Sequence, residues 1–336
     1  MDRSKFIQAS ARIRVLEKKL LNQASYQRLV ESKSLSEALH ILSDSVYQTA
    51  IHSLGNDRDY EYVLKQELVK TFKDLYEISP DPGPVDLLSV EYYYHNLKVL
   101  AKESMTQQDL ETSYVSLGLL DIKKAQDLLN NHEGKIASKS LSRAIKIVEE
   151  AMAIYEEWSD PQDIDLYIDR AQIQRMQELV DEMDVDMFRD YIKAYIDFSN
   201  IGTFFRNKTK VMDLKFLQKV LYDGGEIPKK DYYDYLNAEL DSDSKIFTQT
   251  KIAKYVRRGL DVFDEKNSLG QLEAELNRYC MDLIKQSKTM TYGPEVIFSY
   301  GLAKEMEIKN LRLILIAKAN DIPSESIKER LRDSYV

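Results

Sequence analysis

Apolar residues recur at spacings of three and four along nearly the whole chain, and no stretch sustains the strict alternation of a half-buried strand. That pattern restricts the chain to helices packed on helices. In "RIRVLEKKLLNQASYQRLV", Ile13, Leu16, Leu20 and Leu21 form one stripe, and in "YEYVLKQELVKTFKDLYEI" Tyr60, Leu64, Leu68, Phe72 and Leu75 form another. Ser34 stands three residues before Glu37, the spacing of a capping box, with Leu35, Leu39 and Leu42 behind it. Breakers are few: 7 prolines and 11 glycines in 336 residues. The strongest is "SPDPGP" at Ser79 to Pro84, followed by Pro161, "YDGGEIP" at Tyr222 to Pro228, and Gly293-Pro294. Between them run "KSLSRAIKIVEEAMAIYEEW", "DIDLYIDRAQIQRMQELVDEM" and "DMFRDYIKAYIDFSNIGTFFRNK". A long helix is predicted from Pro294 to about Ala319 and a short one from near Ser324. The fold class is all-α.

Composition narrows the function. A net charge of -9, from 47 basic and 56 acidic side chains, does not favour a nucleic-acid partner, which needs a concentrated positive surface. No apolar run approaches the roughly 18–20 residues of a membrane span, and "MDRSKFIQAS" has no apolar signal core, so the chain reads as cytoplasmic and soluble. One cysteine, Cys280, excludes an intramolecular disulfide scaffold. Tyrosines number 22 against a single tryptophan, a bias that suits cores near a surface and protein interfaces.

Three segments align on an asparagine: "VEYYYHNLKVLAKE" at Asn96, "YIKAYIDFSNIGTFFRNK" at Asn200 and "LAKEMEIKNLRLILIAK" at Asn310, which are 104 and 110 residues apart. Each has apolar or aromatic residues four before and four after: Tyr92 and Leu100, Ile196 and Phe204, Met306 and Ile314. On a helix those positions share a face, so each amide is expected in a buried stripe. Basic residues follow each one: Lys98 and Lys102, Arg206 and Lys208, Arg312 and Lys318. A buried amide without a partner costs about 1–3 kcal/mol, so each should bond to a neighbouring helix or loop. The spacing predicts three helical copies, 1–112, 113–217 and 218–336. A glycine turn is expected after each Asn helix, at Gly118 and at Gly224-Gly225, with Asn320-Asp321 in its place in the third copy.

Catalytic chemistry is hard to find. His40, His52, His95 and His132 are scattered without metal-ligand spacing. Cys280, between Tyr279 and Met281, reads as an interior thiol. "YDGGEIP" lacks the arrangement of a phosphate loop, and the acidic clusters "EISPDPGPVD" and "DEMDVDMFRD" lack the ligand set of a calcium loop. Glu305 and Glu307 lie in the most apolar helix, with Lys304 and Lys309 near enough to offset Glu305. No catalytic residue, metal or cofactor is expected, and the work of such a chain falls to its surfaces.

The residues that carry the repeat also carry a resemblance. The opening Arg12 to Glu17, Arg-x-Arg-x-Leu-Glu, followed by Leu35 to Tyr47, resembles the start of the C subunit of the bacterial and archaeal V-type (A-type) ATPases. This is the AC39 family, to which the eukaryotic d subunit is related. "YYHNLK" matches the end of that family's first Asn helix at Asn96, Leu97 and Lys98, but has Tyr93 where the family carries an acid. Tyr300 and Ala303 to Arg312 match its "Y-x-x-A-K-E-x-E-I-x-N-L-R" signature. Ser45 stands where many members have threonine.

The resemblance implies three similar helical domains around a pseudo-threefold axis, forming a funnel. It implies partners on both sides, the central-stalk shaft subunits of the soluble head and the membrane rotor ring, and no nucleotide or catalysis of the chain's own. The chain would be one copy within a hetero-oligomeric complex, peripheral to the membrane. Candidates for contacts at the domain ends are Tyr92 to Tyr94, Tyr222, Gly224 and Gly225, and Tyr232 to Tyr235, although core packing accounts for Tyr92 to Tyr94 equally well. The alternative is an all-helical interaction scaffold outside any rotary machine.

Overall fold

The computed structural model describes residues 1–106, 108–117, 120–131, 138–158, 160–207, 213–266 and 269–336. It is all-α, with no strand among the described residues. The first five helices are α1 (Ile7–Glu17), α2 (Gln23–Glu31), α3 (Leu35–Leu42), α4 (Gln48–His52) and α5 (Tyr60–Ile78). Then come α6 (Gly83–Thr106), α7 (Ile122–Asn131), α8 (Lys139–Trp158), α9 (Pro161–Met183) and α10 (Asp186–Asn207). The last six are α11 (Leu214–Val220), α12 (Lys245–Thr248), α13 (Ala253–Lys266), α14 (Gly270–Lys285), α15 (Pro294–Ala319) and α16 (Ser324–Lys328).

The punctuation falls where the breakers stand. "SPDPGP" separates α5 from α6, Pro161 opens α9 with Asp160 as its cap, and Pro294 opens α15. Ser34 caps α3 by accepting the Glu37 N–H at 3.2 Å. The Glu37 carboxylate turns back at 2.7 Å to the N–H of Lys33, one residue earlier than the cap itself. Gly293, with φ of 150°, precedes α15, and a side chain there would run into the paired Arg3 and Glu295.

The chain forms two compact units, Met1–Val85 with Val185–Val336, and Asp86–Asp184. The copies expected from the sequence divide instead near 112 and 217. In the first unit α15, which has no single polar face, is buried along nearly its whole length and packs on α5, α1 and α14. Phe298 of α15 meets the rings of Phe188 and Tyr191 at 4.9 and 5.1 Å. In the second unit α8 packs on α7 and α9 through Leu141, Ala144, Val148, Ile164 and Ile168.

Candidate functional site

Each of the three asparagines holds a backbone segment further along the chain, and each does so twice. Asn96 is buried; its Nδ2 donates to the Val115 carbonyl and its Oδ1 accepts the Val115 N–H, both at 2.9 Å and 19 residues away. Asn200 treats Tyr222 the same way at 2.9 and 2.8 Å, 22 residues on. Asn310 does so with Arg332 at 3.0 and 3.0 Å, again 22 residues on. A primary amide both donates and accepts without carrying charge, so it can satisfy the N–H and the carbonyl of one residue at once, which a carboxylate cannot. The flanking residues line the interior around them: Leu100, Ile196, Phe204, Met306 and Ile314 are buried, and Tyr92 is half-buried.

In each case the clasped residue follows a short helical segment: a 3-10 turn at Glu111–Ser113, α11, or α16. The clasps correct one expectation. Arg332, and not Asn320-Asp321, stands where Tyr222 stands in the preceding segment. Asn320 and Asp321 simply end α15, Asp321 in the left-handed region at φ 54°. Gly118 lies outside the described residues, as do His132 and Lys208.

Three residues before each asparagine lies a second fastening. The Asp197 carboxylate is wholly buried and accepts the N–H groups of Glu226 and Ile227 at 2.9 and 3.1 Å. Gly225 lies against it so closely that any Cβ would enter the carboxylate. Burial pushes the Asp197 carboxyl up to about 7, although its two backbone hydrogen bonds oppose the shift. Glu307 accepts the Leu21 N–H at 2.5 Å and the Tyr47 hydroxyl at 2.9 Å, and pairs with Lys304 at 2.7 Å. Tyr93, at the same position in the first segment, donates its hydroxyl to the Ser140 carbonyl at 2.7 Å.

Lys304 is 1% exposed and also meets Glu67 at 3.2 Å. Burial alone lowers its pKa, but the facing Glu307 and Glu67 charges outweigh that and hold the ammonium above its ordinary value. The lysine beside Glu305 in sequence thus serves Glu67 and Glu307. Further along α15, Lys318 donates to the Val30 and Ser32 carbonyls at 2.6 and 2.7 Å. Arg14 grips Glu17 with one nitrogen and reaches the Ser287 and Met290 carbonyls at 2.5 and 2.8 Å with the other, while the Tyr335 hydroxyl donates to Glu17 at 3.0 Å. The third Asn helix is therefore fastened by residues from the first eighty of the chain. Nothing in the local pattern of either segment announces that.

The remaining sequence candidates take simpler places. Lys98 pairs with Asp169 at 2.6 Å, Arg312 forks onto Glu61 at 2.5 to 3.1 Å, and Arg206 is exposed in the last turn of α10. Tyr222 is half-buried and clasped through its backbone, and Gly224 is exposed at φ 102°. Tyr232 is completely buried against Phe204 with ring centroids 5.9 Å apart, and Tyr235 is half-buried. Cys280 is buried, which pushes its thiol up to about 12 and keeps it protonated. Among the described residues no group of three His, Cys, Asp or Glu is placed to hold a metal, and no helix is long and apolar enough to cross a membrane.

The acids at 197 and 307 could have been found by overlaying the three Asn helices, where two of three carry a carboxylate at the same offset. The pairing of Lys304 with Glu67 could not, because the two are separated by most of the chain.

The fold is all-α, and its buried amides and carboxylates fasten backbone to helix. The family model for the ATP synthase (C/AC39) subunit matches residues 9–330, and the chain belongs to that family. It is 29% identical to the C subunit of the V-type sodium ATPase of Enterococcus hirae, over 96% of this chain and 97% of that protein. It is 23% identical to the C subunit of the A-type ATP synthase of Methanocaldococcus jannaschii, over 98% of this chain and 87% of the other. The corresponding protein of Pyrococcus furiosus is 24% identical over 95% and 88%. The chain is a non-catalytic subunit of a V-type or A-type rotary ATPase.

Proposed function

We propose that this chain is the central-stalk adaptor of its complex, joining the rotor shaft of the soluble head to the membrane rotor ring during proton or sodium-ion transport. The observation that carries the reading is similarity over nearly the full length, residues 9–330, to C subunits of rotary ATPases. In this reading the chain is a single copy in a hetero-oligomer, cytoplasmic and peripheral to the membrane. It is built from three helical copies, 1–112, 113–217 and 218–336, arranged as a funnel. The three two-bond clasps at Asn96, Asn200 and Asn310 support the triplication, since each ties a long helix to the segment after a short one.

Torque must pass through such an adaptor without slip, and the clasps and the Lys304 network supply stiffness where loops meet helices. Contacts with a ring whose symmetry differs from three must be distributed and polar at the rim, whereas a shaft seat can be compact and desolvated. Tyr222, Gly224, Gly225 and Tyr235 are the candidate contact residues; Tyr232, expected among them from the sequence, is completely buried against Phe204 and cannot be one. The test removes this chain from the purified complex. ATP hydrolysis by the head should persist while ion pumping is lost, and readdition should restore pumping. Release from the ring should rise with salt between roughly 0.05 and 0.5 M more steeply than release from the shaft. A chain that binds neither ring nor shaft, or a head that needs it for hydrolysis itself, overturns the reading.

A further inference from the structure

Two side chains of α10 hold the turn from Tyr222 to Pro228, and only one of them can change its charge. Asn200 clasps the Tyr222 backbone with an uncharged amide. Asp197, wholly buried, holds the Glu226 and Ile227 N–H groups with a carboxyl. Gly225 lies so close to that carboxyl that no Cβ fits between them, so the closed turn helps to shut water away from the acid.

The charges around Asp197 do little to compensate an ionised carboxylate. Among the described residues no lysine or arginine is placed to pair with it; Lys193, one turn before it on α10, is exposed and acts only at a distance. Glu226, on the turn itself, adds a second negative charge, and its carboxylate accepts the Lys251 N–H at 2.9 Å. The Lys251 ammonium is taken by Asp190 at 2.6 Å. The other groups that feel the Asp197 charge are two phenols kept protonated chiefly by burial, Tyr232 and Tyr279 of α14. Tyr232 is completely buried, and its hydroxyl has no hydrogen-bond partner among the described residues, so it does not serve the acid either. A carboxylate held away from water by two neutral donors and no cation is better off protonated. Once the turn lifts, water reaches the acid and restores its ordinary acidity.

We propose that the turn from Gly224 to Ile227 is a proton-operated latch, shut while Asp197 carries its proton and loosened when opening lets that proton leave. Burial pushes the closed-state carboxyl up to about 7, against 3.8 as its ordinary value. The closed turn therefore holds a proton that the open turn releases, so the latch loosens as pH rises between those values and changes little above them. The same turn carries Tyr222, Gly224 and Gly225, so their presentation to a partner would follow pH. That consequence rests on the adaptor reading, whereas the latch belongs to the chain alone.

Hydrogen exchange on the full-length chain, corrected for the intrinsic rate at each pH, reads the opening. Protection of the Glu226 and Ile227 amides should fall about tenfold between roughly pH 6 and 8 and level off above that. The Tyr222 amide, held by Asn200, should keep constant protection over the same range. Asp197→Asn should make the turn easier to open and leave its protection independent of pH. Carbon-13 NMR of the Asp197 carboxyl in the native chain gives a second reading that needs no variant, with a midpoint expected at about 7. The proposal is overturned by a midpoint below about 5, by protection at Glu226 and Ile227 that ignores pH, or by a pH slope that survives Asp197→Asn. Loosening of the Tyr222 amide in step with the other two overturns it as well, since the opening would then not be confined to the latch. A chain that binds neither ring nor shaft removes the adaptor reading and leaves these exchange results to decide the latch by themselves.

Discussion

Replacing Asn200 by alanine isolates one clasp. The side chain is completely buried, and its loss strands both the N–H and the carbonyl of Tyr222, which it holds at 2.8 and 2.9 Å. A fully buried stranded group costs about 1–3 kcal/mol. Tyr222 is half-buried, so water can reach its peptide and the lower part of that range applies. Two groups at about 1–1.5 kcal/mol each, less about 0.7 kcal/mol regained from alanine's better helix propensity, leave a net loss near 2 kcal/mol. With a urea slope of about 3 kcal/mol/M, the midpoint of the first unit should fall by about 0.7 M. A chain of two compact units need not unfold in one step, so the amide of Tyr222 provides a local readout. Hydrogen exchange there should lose its protection in the variant, while amides in Asp86–Asp184 keep theirs. Asn200→Asp should do at least as much damage, because a carboxylate would face the Tyr222 carbonyl. The control is the exposed Asn237→Ala, expected within about 0.5 kcal/mol of the native chain. Asn56 would be a poorer control, since its side chain caps the 3-10 turn at Asp57–Asp59. An unchanged midpoint together with a still-protected Tyr222 amide would show that the clasp carries no energy.

Three further outcomes test the fastenings around it. Asp197 titrates near 7 when folded against 3.8 as its ordinary value, so between those pH values the folded chain holds more protons than the unfolded one. Its contribution must therefore fall as pH rises through that window, by up to about 4 kcal/mol, and Asp197→Asn should flatten the slope of stability against pH. Lys304→Met leaves Glu67 and Glu307 buried without their cation and should cost about 3–5 kcal/mol in chemical unfolding, whereas a surface change such as Lys328→Met should be nearly silent. Gly225→Ala forces a methyl into the Asp197 carboxylate and should cost about 1–3 kcal/mol; a double-mutant cycle with Asp197→Ala should show strong coupling, and simple additivity would refute the proposed contact.

Most of the local structure was legible in the sequence because its causes are local. Prolines at 80, 82 and 84 cannot continue a helix, Ser34 and Glu37 can cap one, and a stripe such as Tyr60, Leu64, Leu68, Phe72 and Leu75 must bury one face. The three asparagines could be singled out for the same reason, since a polar residue set in a buried helical stripe demands a partner wherever the chain later supplies one. Which backbone each amide takes was decided only by the fold. Val115, Tyr222 and Arg332 share no side-chain chemistry, because the bonds are made to their backbone groups and leave their side chains unconstrained. The long-range fastenings were equally hidden: Glu67 and Lys304, Arg14 and the Ser287 carbonyl, and Leu21 and Glu307 lie at opposite ends of the chain, and each sequence neighbourhood is self-consistent without the other. Periodicity records which face of a helix is buried, but it carries no record of what covers that face. Only the packing of α15 against the N-terminal helices turns those separated charges and carbonyls into pairs.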